Sequence, residues 1–87
     1  MFSFYNGIIM KTRKQLGTAN LVGANIEKLR KARNISQKDF IAKIQVEGVD
    51  INPTSYSKLE GQTRIATDKE IYAIAKILDV DIKELFN

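Results

Sequence analysis

The chain has 87 residues, 44% of them hydrophobic, with 14 Lys/Arg against 10 Asp/Glu and neither cysteine nor histidine. Without cysteine there is no disulfide and no thiolate metal site, and without histidine the commonest general base and metal ligand are missing. An enzyme on this chain would have only carboxylates, lysines and hydroxyls to work with, so catalysis ranks last among the function classes, and no cofactor or metal is expected.

One domain is expected from this length, and five Gly and one Pro suit a mostly helical one with a single modest core. The net charge of +4 is unevenly spread. Residues 1–45 hold nine Lys/Arg against two acids, Glu27 and Asp39, whereas residues 46–87 hold five Lys/Arg against eight acids. The first half is therefore suited to a polyanion and the second is not, although basic helix faces are also ordinary solvated surface.

Residues 1–10 are apolar but lack a preceding basic stretch, and Asn6-Gly7 interrupts them. That argues against a signal peptide or membrane segment and leads to an expected cytoplasmic location. Met10 is followed by Lys11-Thr-Arg-Lys14, a plausible alternative start. Residues 1–19 are expected to form a tail, disordered or docked on a partner, and residues 20–87 the folded domain. Lys11, Arg13 and Lys14 suit either a flexible arm along DNA or a solubilising stretch.

Leu21, Val22, Ile26 and Leu29 follow helical spacing, and Asn34 offers a left-handed stop. Ser36, with Asp39 three residues on, opens a second helix whose buried stripe is Phe40, Ile41 and Ile44. Val46 to Ile51 reads as a turn, with Gly48 supplying backbone freedom. Asn52 then caps a third helix with Pro53 at its first position, where a missing N–H costs nothing. Tyr56 and Leu59 face inward at i, i+3, and Gly61 is expected to end this helix. Thr67-Asp-Lys-Glu70 is a capping box for a fourth helix with Ile71, Ile74, Ala75 and Leu78 inward. Asp81-Ile-Lys-Glu84 starts a last turn or two carrying Ile82, Leu85 and Phe86. Helix capping also explains Asp81 and Glu84 better than a metal or acid/base site does. Tyr56 reads as core with its hydroxyl at the edge, and Tyr72 as surface.

Two short capped helices joined by a turn, the second with small polar groups and a lysine outside, have the shape that enters a DNA major groove. Three stretches then carry a family resemblance: Ile26-Glu-Lys-Leu-Arg-Lys-Ala-Arg-Asn-Ile-Ser-Gln-Lys-Asp-Phe40, Tyr56-Ser-Lys-Leu-Glu60, and Ile71-Tyr-Ala-Ile-Ala-Lys-Ile-Leu-Asp-Val-Asp-Ile-Lys-Glu-Leu-Phe86. From Asn25 to Phe86 the chain resembles the phage-repressor and Cro-like helix-turn-helix domains of bacterial regulators, the xenobiotic-response-element type. The resemblance implies an all-α, compact five-helix bundle with helix three (about 52–60) in the major groove of double-stranded DNA. Gln37 matches the family's phosphate-binding glutamine. Thr54 and Lys58 fall where the family reads bases, with Ser55 and Ser57 nearby. Arg30 and Glu60 resemble a structural ion pair between helices one and three.

The sequence departs from the family between helices two and three. The connection from Gln45 to Ile51 is longer than the family's usual turn by roughly four residues. Pro53 also stands where many members carry a polar base reader, which shifts expected readout to Asn52, Thr54 and Lys58. Lysine can donate to guanine O6 and N7, and threonine offers a hydroxyl and a methyl. Against that, Lys58 is also an ordinary solvated helix lysine, and Thr54 and Ser55 are also helix-start residues satisfying local backbone. Lys38, Thr63 and Arg64 are expected beside Gln37 as phosphate contacts.

The leading expectation is a sequence-specific transcriptional regulator, a repressor binding as a homodimer, with a regulatory protein partner as an additional option. The alternative is a protein-interaction module, an antitoxin or adaptor that also binds DNA.

Overall fold

The structure is a computed structural model that describes residues 18–87. The expected N-terminal tail therefore lies almost wholly outside the described residues. Four α-helices follow in order: α1 (Gly23–Ala32), α2 (Gln37–Val46), α3 (Pro53–Glu60) and α4 (Asp68–Leu78). A single 3-10 turn, η1 (Ile82–Leu85), closes the domain, and no strand occurs among the described residues. The expected fifth helix is thus a 3-10 turn. Asp81 and Glu84 form a capping box at its start, and the segment winds a single turn before Phe86 leaves it.

Local chemistry sets the boundaries. Ser36 accepts the N–H of Asp39 at the start of α2, and Asn52 accepts that of Ser55 at the start of α3. Thr67 and Glu70 form a reciprocal capping box on α4. Asn34 takes a left-handed φ of 57° after α1, as its side chain allows. After α3 the left-handed residue is Gln62 at φ 62°, whereas Gly61 stays at φ −77°. Gly61 is the C-cap that ends α3, as expected, and the left-handed turn falls on the residue after it. Val46 belongs to α2, so the connection to α3 is residues 47–52, with Gly48 at φ 91°.

The core is one cluster built from every element. Ile26 of α1, Phe40 and Ile44 of α2, Tyr56 and Leu59 of α3, Ile74 and Leu78 of α4 and Leu85 of η1 are all essentially inaccessible. Full burial of each such aliphatic or aromatic side chain contributes about 1.5–3 kcal/mol. Phe40 and Tyr56 meet with ring centroids 5.7 Å apart and planes tilted by 58°, which joins α2 to α3.

Leu21, expected in the core, is 71% exposed. Helical phase does not reach back to it, because the chain is still turning at Asn20. The Asn20 Oδ1 accepts the N–H groups of Val22 and Gly23, while its Nδ2 donates to the carbonyls of Leu59 and Arg64. One side chain thus starts α1 and ties it to the end of α3. Gly23 completes this joint: a Cβ there would stand 2.3 Å from the Leu59 carbonyl oxygen and 2.7 Å from that of Glu60. Only a residue without a side chain lets α1 approach α3 so closely. Among the described residues no helix is long and apolar enough to cross a membrane.

Candidate nucleic-acid interface

Helix α3 has two unlike faces. Tyr56, Leu59 and Glu60 are buried, whereas Pro53, Thr54, Ser57 and Lys58 are exposed. Thr54, Ser57 and Lys58 stand at i, i+3 and i+4, so they share one outward stripe. Ser55 is half-buried and its carbonyl accepts from the Arg64 Nε at 2.9 Å, which puts it at the rim of that stripe. Asn52 is exposed; its Oδ1 is committed to the cap, while its Nδ2 meets no acceptor among the described residues. Lys58 has no carboxylate partner among the described residues.

The inward face is held by a buried polar network. Arg30 approaches Glu60 through two nitrogens, Nε to Oε2 at 2.7 Å and Nη2 to Oε1 at 3.2 Å. Its Nη1 donates to the Ile35 carbonyl at 2.7 Å, so the guanidinium also holds the turn between α1 and α2. The Tyr56 hydroxyl donates to the same Glu60 carboxylate. Burial, reinforced by the hydrogen bond and charge of Glu60, pushes that hydroxyl far above its ordinary pKa, so it remains a donor. A charge pair this deep is costly to desolvate and survives because nearly every polar atom is satisfied. Its value is orientation: α1, the following turn and α3 are fixed to one carboxylate.

Gln37 joins that network from α2, its Nε2 donating to Glu60 Oε1 at 3.0 Å. An amide nitrogen carries two protons, so the second remains for an external acceptor. Beside it, the main-chain N–H groups of Gln37 and Lys38 have no acceptor among the described residues. The start of α2 therefore offers three N–H donors and a helix dipole, a natural seat for a phosphate. Lys38 is exposed and without an ion-pair partner among the described residues.

Thr63 and Arg64, expected as phosphate contacts, also carry contacts within the fold. The Thr63 Oγ1 donates to the Lys58 carbonyl at 3.3 Å, closing the end of α3. Arg64 donates Nε to the Ser55 carbonyl, Nη1 to the Ile65 carbonyl and to Glu70, and Nη2 to Glu70 at 2.8 Å. Four of its five N–H groups are thereby used, so it offers a phosphate only the last. It joins α3 to α4. Burial alone would raise the Glu70 carboxyl, but the hydrogen bonds from Arg64 and Thr67, with the Arg64 charge, outweigh it and hold the group below the usual carboxylate range. This second ion pair, and the Asn20 and Gly23 joint, went unread in the sequence. Arg64 and Glu70 are six residues apart across an irregular loop, a spacing that no helical rule singles out.

Two short helices meeting across a connection, the second offering an unpaired polar stripe, match a known domain. A family model described as a helix-turn-helix domain matches residues 23–87. The chain belongs to the helix-turn-helix domain family. Membership points to DNA binding and, with it, to transcription regulation. No curated protein and no solved structure matches the chain. For this helix-turn-helix domain, the longer connection before α3 is accommodated without unfolding the pair. Gln45 Nε2 donates to the Ile51 carbonyl at 2.8 Å, and Ile51 itself is buried. The connection is also held inward, with Val49 packed on the core and Glu47 paired with Lys76 of α4 at 3.0 Å.

Proposed function

We propose that the protein is a sequence-specific transcriptional repressor that binds DNA as a homodimer with α3 in the major groove. The carrying observation is the contrast on α3, whose inward face is immobilised through Glu60 while Thr54, Ser57 and Lys58 stand outward with the Nδ2 of Asn52. In this reading those residues and Ser55 contact base edges. Gln37, Lys38 and the free N–H groups at the start of α2 hold a backbone phosphate, with Thr63 and the last N–H of Arg64 at the far end of α3.

A single α3 covers too few base pairs for a unique site, which motivates the dimer. Leu21, Ile65 and Phe86 line one hollow and are 71%, 71% and 46% exposed, giving the dimer an apolar surface. Leu85, next to Phe86, is buried and takes no part in that surface. The test is selection from random duplexes with the full-length protein, followed by titration of the winner and a scrambled control at two salt concentrations. A preference of about a hundredfold or more that survives higher salt supports the reading. Equal binding that vanishes as salt rises contradicts it.

The alternative, an antitoxin or adaptor with a protein partner, is favoured by a hollow of 620 Å³ lined by Val49, Tyr72, Ala73 and Ile82, in which Tyr72 is 65% exposed. A stoichiometric partner lost on Tyr72→Ser, with DNA binding unchanged, would support it.

A further inference from the structure

Between α2 and the first turn of α3 lies an open notch of about 500 Å³ lined by Gln37, Lys38, Ile41, Ala42, Gln45 and Pro53. Its floor is hydrocarbon: Ile41, the exposed methyl of Ala42 and the exposed ring of Pro53. Its rim is polar and cationic, with the Gln37 amide and the unpaired Lys38. Pro53 precedes Thr54 by one residue and Ser57 by one turn, so the notch adjoins the outward stripe of α3. A proline at this point offers no N–H and no side-chain hydrogen bond, so it can read a base only by shape and apolar contact.

The major groove presents one prominent apolar group, the C5 methyl of thymine, which apolar side chains recognise by contact. We infer that the notch formed by Ala42, Ile41 and Pro53 seats the C5 methyl group of a pyrimidine, making Pro53 and Ala42 specificity-determining residues. The inference rests on the DNA-binding reading above. A phosphate held by Gln37 and Lys38 brings the duplex against the rim, and the methyl group fills a floor that offers water no hydrogen bond. Thymine and 5-methylcytosine carry the same group, and both fit this chemistry.

The test uses the full-length protein and the best duplex selected from random sequence. Each thymine is replaced in turn by uracil, which removes the methyl and nothing else, and each cytosine by 5-methylcytosine. At one position in each half-site, affinity should change about fourfold, the worth of one buried methyl. Loss on thymine→uracil identifies thymine as the source, and gain on cytosine methylation identifies 5-methylcytosine. Pro53→Gln, which places an amide at the notch, should shrink that difference to below about twofold, while Thr54→Ser should leave it intact.

A selected duplex preferred about a hundredfold over its scramble, yet indifferent to every methyl change, overturns the notch assignment and leaves the DNA-binding reading standing. A methyl effect that survives Pro53→Gln but disappears with Thr54→Ser assigns the contact to Thr54 and also overturns it. Failure to prefer any duplex over its scramble overturns both.

Discussion

The two ion pairs that brace α3 differ in what they were built to hold. Arg30 and Glu60 lie within the core, with side chains 7% and 4% exposed, and Glu60 gathers Tyr56 and Gln37 as well. Arg64 and Glu70 sit nearer the surface, with Arg64 at 22%, and join the loop after α3 to the start of α4. The inner pair fixes α3 against α1 and α2. The outer pair only steadies its exit. A buried charge pair tolerates the loss of one partner badly, because the other is left unpaired in a low dielectric, whereas water can relieve part of that penalty at the outer pair.

The largest effect should follow Glu60→Ala. It strands the Arg30 guanidinium and the Tyr56 hydroxyl, and should destabilise the domain by about 3–5 kcal/mol in chemical denaturation. For a small domain that approaches total stability. An effect below about 1 kcal/mol would show that water or a new partner reaches Arg30, and would erase the distinction between the two pairs.

Arg64→Ala should cost less, about 1–2 kcal/mol, since the Glu70 carboxylate keeps the N–H of Thr67 and Arg64 is the more exposed member of the pair. The outer pair also has a pH signature. Because the folded Glu70 carboxyl titrates below its ordinary value of 4.5, its contribution is present above that value and is lost as the pH falls through the folded-state pKa. Glu70→Gln should flatten the acid limb of the stability curve below about pH 4.5. An acid limb identical in the two proteins would remove Glu70 from the account of acid sensitivity.

Smaller still is Tyr56→Phe, which deletes one hydroxyl from the inner network but keeps the ring on Phe40. About 1 kcal/mol is expected, read from the thermal midpoint. At the bottom of the scale, Lys58→Ala should change stability by less than about 0.5 kcal/mol, because nothing described in the structure bonds to that side chain. A stability loss comparable to that of Arg64→Ala would mean that Lys58 holds the fold.

The elements were legible wherever a local signal existed. Ser36, Asn52-Pro53, Thr67…Glu70 and Asp81…Glu84 each announce a helix start within four residues, and the apolar stripes of α2 and α4 repeat at helical spacing. The Arg30–Glu60 pair was readable only through the resemblance, since nothing in a single sequence links residues 30 positions apart. Asn20 and Gly23 could not be read at all. Their roles depend on how closely α1 approaches the end of α3, a distance set by packing rather than by neighbouring residues. Arg64 has a second engagement that the sequence did not announce. As a cation just after α3 it suggested a phosphate, but Glu70 and two carbonyls lie within its reach, and a fork with three built-in acceptors has little left to offer DNA. Gln37 shares this engagement only in part, because its amide keeps one proton.

The most direct measurement compares the wild type with Lys58→Ala on a selected duplex and on its scramble, by fluorescence titration at one salt concentration. If the outward stripe of α3 reads sequence, the variant should lose about tenfold in affinity for the selected duplex and far less for the scramble. An equal loss on both duplexes would reduce Lys58 to a phosphate contact, and no loss on either would contradict the assignment of α3 as the reading helix.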